Sequence, residues 1–100
     1  MILYNVTVSV DLEIEEEWVK WMKAHHIPDV MATGCFVDWK MFKVLLQKED
    51  SVTYSIQYFS KDLKHLQQYH SQYAKGLQIT HQEKYLEKVV AFRTVLEEIV

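Results

Sequence analysis

The sequence is poor in cysteine, proline and glycine, with one, one and two of them in 100 residues. The single cysteine, Cys35, excludes an internal disulfide, so we expect a fold held by its hydrophobic core and a reducing, cytoplasmic location. The scarcity of glycine and proline leaves no linker, and no repeat or low-complexity tract is present. Residues 1–100 therefore predict a single domain.

The sequence also lacks a long apolar run, a basic stretch and a signal-peptide pattern. No segment has the roughly 20 apolar residues that a membrane helix needs, and Met1 leads into a strand pattern without a basic flank. The net charge of −3 and the pI near 5.9 give no electrostatic reason to bind nucleic acid. We therefore expect neither a membrane nor a nucleic acid as partner.

Hydrophobic residues are abundant, at 49% of the sequence, and 3 Trp, 6 Tyr and 4 Phe provide many rings for so small a core. Apolar and polar residues alternate over Ile2–Val10 and Val52–Phe59, while apolar-rich runs cover Phe36–Leu46 and Val89–Leu96. Each of these four segments predicts a β-strand. The polar residues Gln47–Ser51 predict a hairpin connection.

A helix is predicted after the first strand, because the acidic residues 15–17 suit the positive end of a helix dipole. Its predicted buried stripe consists of Ile14, Trp18, Trp21, Met22 and His25. Pro28 disfavours helical geometry at Ile27 and lacks a backbone donor, which predicts a break or kink there. One further turn is expected before Gly34, which supplies a left-handed residue to end it.

A second helix is predicted between the third and fourth strands. Ser60 is placed to cap it, with Asp62 in its first turn. The predicted core-facing stripe consists of Leu63, Leu66, His70, Tyr73 and Leu77. Gly76 predicts a kink or break, with helical character resuming toward Tyr85.

The order strand, helix, strand, strand, helix, strand predicts an α+β, ferredoxin-like βαββαβ domain. Right-handed crossovers then give a four-stranded antiparallel sheet with both helices on one face. The other face is expected to be half-polar and to include Asn5, Thr7, Ser55, Gln57 and Phe59. Such an uncovered face predicts self-association.

Six segments spread over nearly the whole chain resemble a small uncharacterised bacterial family, domain of unknown function 4286. The segments are Tyr4-Asn5-Val6-Thr7, Trp18-x-x-Trp21-Met22, His26-Ile27-Pro28-Asp29-Val30, Thr33-Gly34-x-Phe36, Tyr54-x-Ile56-Gln57-Tyr58 and Ala91-Phe92-Arg93-Thr94. A helix ending in His-x-Pro is also similar, more remotely, to the dimeric α+β-barrel superfamily of small monooxygenases, lactone-handling enzymes and stress-response barrels. The resemblance implies a homodimer joined through the open sheet faces, and it implies no particular reaction.

His25 and His26 are the candidate chemical groups, and both are candidate ligand-binding residues. A neutral imidazole in a pocket acts as acid, base or hydrogen-bond donor near neutral pH. Asp29 lies three residues beyond His26 and reaches its ring if the helix continues, which makes His26 the best catalytic candidate. The alternative is that one histidine packs and caps the helix end while the other is solvated.

Trp18 and Trp21 are further candidate ligand-binding residues, although tryptophans in a chain of this size are more often core. Arg93 interrupts the apolar terminal strand and is predicted to share a face with Ala91 and Val95. An arginine among apolar neighbours requires an anionic partner, which is either an ion-paired carboxylate, within the protomer or across a dimer, or an anionic ligand. The ion pair is the favoured interpretation.

We predict no metal and no cofactor. The sequence has no His-x-x-x-His or Cys-x-x-Cys pair, and His65 and His70 fall on different faces of their helix. Only an approach in the folded chain, for example of His26 to His81, would bring metal ligands together. Cys35, which follows a glycine at a strand start, is interpreted as an inert small residue.

RNA-recognition domains share this order of elements, but their third strand carries basic residues and glycine, and Val52–Phe59 has neither. RNA binding is therefore not expected.

Three functions remain. The protein is a homodimer that binds a small hydrophobic ligand, or a cofactor-independent, monooxygenase- or isomerase-like enzyme with His26 as acid–base, or an interaction module that binds another chain through its open face. A closed apolar pocket reaching His26 favours the enzyme, and a fully packed interior favours the other two.

Overall fold

A computed structural model describes residues 1–45 and 50–100. The strands are β1 (Ile2–Asp11), β2 (Asp38–Lys43), β3 (Ser51–Ser60) and β4 (Val89–Glu97). They form one antiparallel sheet in the order β2-β3-β1-β4, which confirms the ferredoxin-like prediction. β2 is shorter than the predicted strand Phe36–Leu46. It begins at Asp38, so the buried Phe36 lies before the strand. Residues 46–49, which include the end of the predicted second strand and most of the predicted hairpin connection, lie outside the described residues.

The first helical region, residues 12–32, is continuous through Pro28. It consists of a 3-10 turn (Leu12–Ile14), α1 (Glu15–Trp21), a first π-helical segment (Met22–His26) and α2 (Ile27–Ala32). Of the predicted break or kink at Ile27, the break is wrong, because that residue is helical at φ −62° and ψ −45° and its N–H donates to the Met22 carbonyl five residues back, in a π turn. The wider π turn accommodates the missing N–H and the ring of Pro28, which a regular α-helix does not. Gly34, at φ +76°, follows the helix as predicted.

The second helical region contains α3 (Leu63–Tyr69), a second π-helical segment (His70–Ala74), α4 (Lys75–Tyr85) and a 3-10 turn (Leu86–Lys88). The predicted cap at Ser60 is wrong. Ser60 ends β3, and its hydroxyl lies 3.1 Å from both the Cys35 and the Asp62 carbonyl oxygen, to either of which its single hydrogen is donated. The Asp62 carboxylate instead accepts the His65 N–H. The helix also runs through Gly76 without a break, since the irregular turn comes just before it.

The π-helical segments change which residues face the sheet. Each holds about one more residue per turn than an α-helix, so the buried stripe advances by one position. His25 is therefore exposed, contrary to prediction, and Trp21 is half-buried. His70, the first residue of the second π-helical segment, is also exposed. Leu63 is exposed as well, but it begins α3 and precedes that segment. The buried helix residues are Trp18, Met22, Ile27, Val30, Leu66, Tyr69, Ala74, His81 and Tyr85.

Both helical regions cover the same sheet face and enclose the core. The opposite face, called the open face here, carries a polar centre in which Ser55 donates to Asn5 and Asn5 donates to Thr7. Its exposed apolar side chains are Phe42, Val90, Phe92 and Leu96, and Phe92 is 67% exposed. Within the described residues, the helices are too short or too polar to cross a membrane.

Candidate functional site

A small cavity lies between the sheet and the two helical regions and reaches His26. Its volume is about 20 Å³, which is room for about one water molecule. The side chains with polar groups that line this inner cavity are Tyr4, His26, Tyr58, Tyr69, Gln78, His81 and Arg93. The remaining walls are mainly apolar side chains from β1, β3 and the first helical region. The interior at His26 is therefore neither a closed apolar pocket nor fully packed.

An outer groove continues from the inner cavity toward solvent. It lies between α4 and β4, has a volume of about 260 Å³ and is lined by Gln78, His81, Gln82, Val89, Val90, Ala91 and Arg93. Three of these residues, Gln78, His81 and Arg93, also line the inner cavity. The two spaces therefore share their polar boundary.

His81 is held by a hydrogen bond from the other helical region. The Trp18 indole Nε1–H donates to His81 Nε2 over 2.9 Å, and both side chains are buried. Because an indole N–H only donates, Nε2 must carry the lone pair and the proton of the neutral ring must be on Nδ1. Trp18 thus fixes the tautomer of His81 and leaves its Nδ1–H without an acceptor among residues 1–45 and 50–100.

His26 faces the inner cavity because of the first π-helical segment. In a π turn the neighbour along one face is five residues away, so Trp21 stacks on His26 at 5.3 Å between ring centroids. Trp21 also stacks on His81 at 5.7 Å, and the two imidazole centroids are 5.3 Å apart. Among the described residues, no protein group hydrogen-bonds the His26 ring, which leaves its nitrogens available to a ligand or a water.

Both imidazoles are neutral at physiological pH. Burial, reinforced by the nearby charge of Arg93, lowers the pKa of His26 to about 4. Burial also lowers the pKa of His81 to about 4, with further contributions from His26 and Arg93. Two imidazoles side by side thus offer hydrogen bonds to a ligand without adding charge.

Two tyrosines of the sheet, Tyr4 and Tyr58, and Tyr69 of α3 form a cluster at the inner cavity. Tyr4 packs against Tyr58 and Tyr69, with ring centroids 6.2 Å and 5.6 Å away. Burial raises the pKa of all three phenols, so they stay protonated at neutral pH. At Tyr4 the rise is opposed by the Arg93 charge and by hydrogen bonding to Gln78 and Arg93, so the phenol faces the polar boundary of the cavity.

Some of the predicted site residues lie at or beside the inner cavity, and one of them does not. His26 and Arg93 line the cavity. Trp18 and Trp21 do not line it, but they contact His81 and His26 beside it, whereas His25 is exposed to solvent. Arg93 shares its sheet face with Ala91 and Val95, as predicted, but forms no ion pair within the described parts of the chain.

Sequence reasoning missed Tyr4, Gln78 and His81 as site residues. His81 was considered only as a distant metal ligand, although it lies four residues after Leu77 and continues the same helical stripe. His26 and His81 do approach each other. However, the described residues hold no set of three or more His, Cys, Asp or Glu side chains placed to bind a metal.

The model of the family Domain of unknown function (DUF4286) matches residues 1–99. No curated protein matches the sequence significantly.

Solved structures share the fold at low identity. An ethyl tert-butyl ether d (EthD) family protein from Bacillus halodurans is 16% identical, with a TM-score of 0.68 over 99% of this chain and 100% of that one. A dimeric ferredoxin-like protein from an uncultured marine organism is 19% identical, with a TM-score of 0.66 over 100% and 94%. A variant of SnoaB, a cofactor-independent oxygenase from Streptomyces nogalater, is 11% identical, with a TM-score of 0.64 over 97% and 92%.

Proposed function

The chain belongs to the family Domain of unknown function (DUF4286), and we propose that it is a cytoplasmic homodimer that binds a small molecule between its sheet and its helices. One observation carries the proposal. The His26 ring, without a hydrogen-bond partner among the described residues, faces an inner cavity that shares Gln78, His81 and Arg93 with a groove open to solvent. The free and buried Cys35 suits a reducing compartment.

The accessibility of the His26 ring supports a binding role over simple packing. The ring is half-buried, and its nitrogens have no hydrogen-bond partner among the described residues but are not sealed from solvent, so a ligand or a water in the cavity can bind them. Here the unpartnered ring lies beside a second imidazole, an amide and a guanidinium. A few convergent polar groups in apolar walls are typical of small-molecule sites.

The open face supports the homodimer. Its exposed apolar side chains on β2 and β4 flank a hydrogen-bonded polar centre, and a twofold partner would cover both. The similar protein from an uncultured marine organism is itself a dimeric ferredoxin-like protein. A different chain on this face is the competing possibility, and native mass spectrometry separates the two by mass.

A second candidate is a cofactor-independent enzyme, in which His26 acts as acid–base on the bound molecule. The similarity to SnoaB in fold and the paired imidazoles favour it. A pKa of about 4 makes His26 a weak base, so this role requires a substrate with an acidic proton.

Ligand binding is tested by thermal shift and NMR with single-ring aromatic compounds and short-chain acids. We expect some of them to stabilise the wild-type protein and to perturb the His26 and His81 ring signals. His26→Ala should weaken this binding, because His26 lies beside the shared residues His81 and Arg93, whereas the matched variant His25→Ala, altered one residue away on the exposed side, should keep it. Ligands bound equally well by His26→Ala and wild type would contradict the proposed site.

The same ligands separate binding from catalysis. Prolonged incubation with the wild-type protein in air, followed by mass spectrometry of the small molecule, detects any turnover. Conversion that disappears in His26→Ala and persists in His25→Ala would establish the enzyme. Recovery of an unchanged, bound ligand favours the binding protein.

A further inference from the structure

Arg93 is the only arginine in the sequence, and its position relates it to the ligand site. It lies on β4 opposite Val6 of β1, on the sheet face that the helices cover. Its side chain lines both the inner cavity and the outer groove. A guanidinium stays charged at all physiological pH values, so this boundary carries a fixed positive charge.

No carboxylate neutralises that charge in the described chain. The ion pairs among residues 1–45 and 50–100 involve lysines, His65 and the amino terminus, and Arg93 takes part in none of them. The outer groove is lined by amides, an imidazole, apolar side chains and Arg93, without an acidic residue. The groove therefore has a single positive charge in a protein whose net charge is −3.

We propose that the ligand of this site is a small organic monoanion, a carboxylate on a single ring or short chain, whose acid group binds the Arg93 guanidinium in the outer groove. This inference rests on the function proposed above and adds the chemical class of the ligand. Arginine binds carboxylates through two parallel N–H donors, which fixes both the position and the orientation of the acid group.

The surroundings favour a monoanion over a phosphate ester. Arg93 is the one full positive charge that lines the groove, so the second negative charge of a phosphate ester has no cationic partner there. The Gln78 amide and the His81 Nδ1–H are neutral donors at the same boundary. One cation with two neutral donors matches one carboxylate.

The available space limits the rest of the ligand. The outer groove has about 260 Å³, just below the range of roughly 300–1,000 Å³ that is usual for drug-sized ligands. Val89, Val90 and Ala91 give it an apolar wall, and the inner cavity beyond has room for about one water. A single ring or a short chain fits this volume, whereas a polycyclic molecule exceeds it.

Binding of the anion has an electrostatic signature at the histidines. The Arg93 charge contributes to the low pKa values of His26 and His81, and Tyr4, Tyr58 and Tyr69 are the other titratable groups facing this cavity. A carboxylate on Arg93 offsets that charge and makes protonation of both imidazoles easier. A neutral ligand in the same place lacks this effect.

The experiment compares acids with their neutral amides: benzoate with benzamide, and hexanoate with hexanamide, by calorimetry and by NMR titration of the histidine ring signals. In the wild-type protein we expect each acid to bind at least tenfold more tightly than its amide and to raise the pKa of His26. Arg93→Met should abolish the preference for the acid, and Arg93→Lys should restore part of it. Lys84→Met, which removes a nearby charge outside the groove, should leave the preference unchanged.

The outcomes separate the inference from the proposed function. If the amides bind as tightly as the acids, and His26→Ala weakens binding of both, the site is real and the anion is wrong. If Arg93→Met dissociates the dimer and no acid is preferred, Arg93 pairs with a carboxylate of the second protomer and the inference is overturned. If neither acids nor amides bind, the inference and the proposed function fail together.

Discussion

Trp18 and His81, 63 residues apart in sequence, are joined by a hydrogen bond of 2.9 Å from the indole Nε1–H to the imidazole Nε2. This bond connects the two helical regions at the point where they enclose the inner cavity. It also determines which nitrogen of His81 carries the proton. The packing of the core and the chemistry of the site therefore depend on the same side chain.

The first prediction concerns this bond. Trp18→Phe keeps an aromatic ring but removes the N–H donor, so the buried His81 Nε2 loses its partner. We expect the free energy of unfolding to fall by about 1–3 kcal/mol. Nitrogen NMR should show the wild-type His81 proton on Nδ1 and, in Trp18→Phe, a substantial population with the proton on Nε2.

The control is Trp39→Phe, a half-buried tryptophan on β2 whose indole N–H forms no hydrogen bond to the described residues. This variant should leave the His81 tautomer unchanged. An unaltered Nδ1–H tautomer in Trp18→Phe would show that the indole does not control the ring.

The second prediction is a loss of stability at mildly acidic pH. The pKa of His26 and of His81 is about 4 in the folded protein, whereas the ordinary value of 6.5 applies to these histidines in the unfolded chain. Below pH 6.5 the unfolded chain therefore binds protons that the folded protein excludes down to pH 4, so stability falls as the pH falls through this interval. From pH 7 to pH 5 we expect a decrease of about 2 kcal/mol from each ring in the free energy of unfolding.

Urea unfolding at a series of pH values measures this decrease. His81→Gln keeps an acceptor for the Trp18 N–H and removes one titrating ring, so it should remove about half of the decrease. His25→Gln alters an exposed histidine and should follow the wild-type curve. A wild-type stability that is flat between pH 7 and pH 5 would mean that the two imidazoles are not buried in their neutral form.

The fold was predictable because period-two and helical patterns act locally. The alternation in Ile2–Val10 and Val52–Phe59 predicted the two central strands, since one face of each is buried against the helices. The predictions of a break or kink at Pro28 and Gly76 were wrong about a break in the same way. Each residue disfavours a regular α-helix, and in each case a π-helical segment lies just before it while the helix continues.

The site was predictable only in part, because the same π turn decides which histidine faces inward. An α-helical stripe places His25 near Trp18 and Trp21, whereas the observed geometry places His26 there. Arg93 was identified from its apolar neighbours on one strand. Its position beside His81 depends on the crossover that places α4 over β4, and local periodicity carries no information on that contact.

The third prediction ranks the two tryptophans of the first helix. Trp18 is fully buried, whereas Trp21, which the sequence placed on the buried stripe, is half-buried. We expect Trp18→Ala to lower the free energy of unfolding by about 3–5 kcal/mol and Trp21→Ala by roughly 2 kcal/mol. Denaturant unfolding of both variants measures the difference, and a larger loss for Trp21→Ala would contradict the burial seen at the π turn.

The fourth prediction concerns the proposed dimer. Phe92 lies on the open face, opposite Thr7, and is the most exposed aromatic side chain of that face. A glutamate in its place puts charge at an apolar contact in both protomers, and like charges brought together at an interface cost several kcal/mol. We therefore expect Phe92→Glu to weaken dimerisation on the order of 100-fold or more.

Size-exclusion chromatography with light scattering at micromolar concentration tests this effect, and Leu63→Glu is the matched control. Leu63 is an apolar residue that is 51% exposed, but it lies at the start of α3, away from the open face. The wild-type protein and Leu63→Glu should elute as dimers, and Phe92→Glu as a monomer with an unchanged far-ultraviolet circular dichroism spectrum. A wild-type monomer at this concentration would reject the dimer, and a dimeric Phe92→Glu would place the contact on another surface.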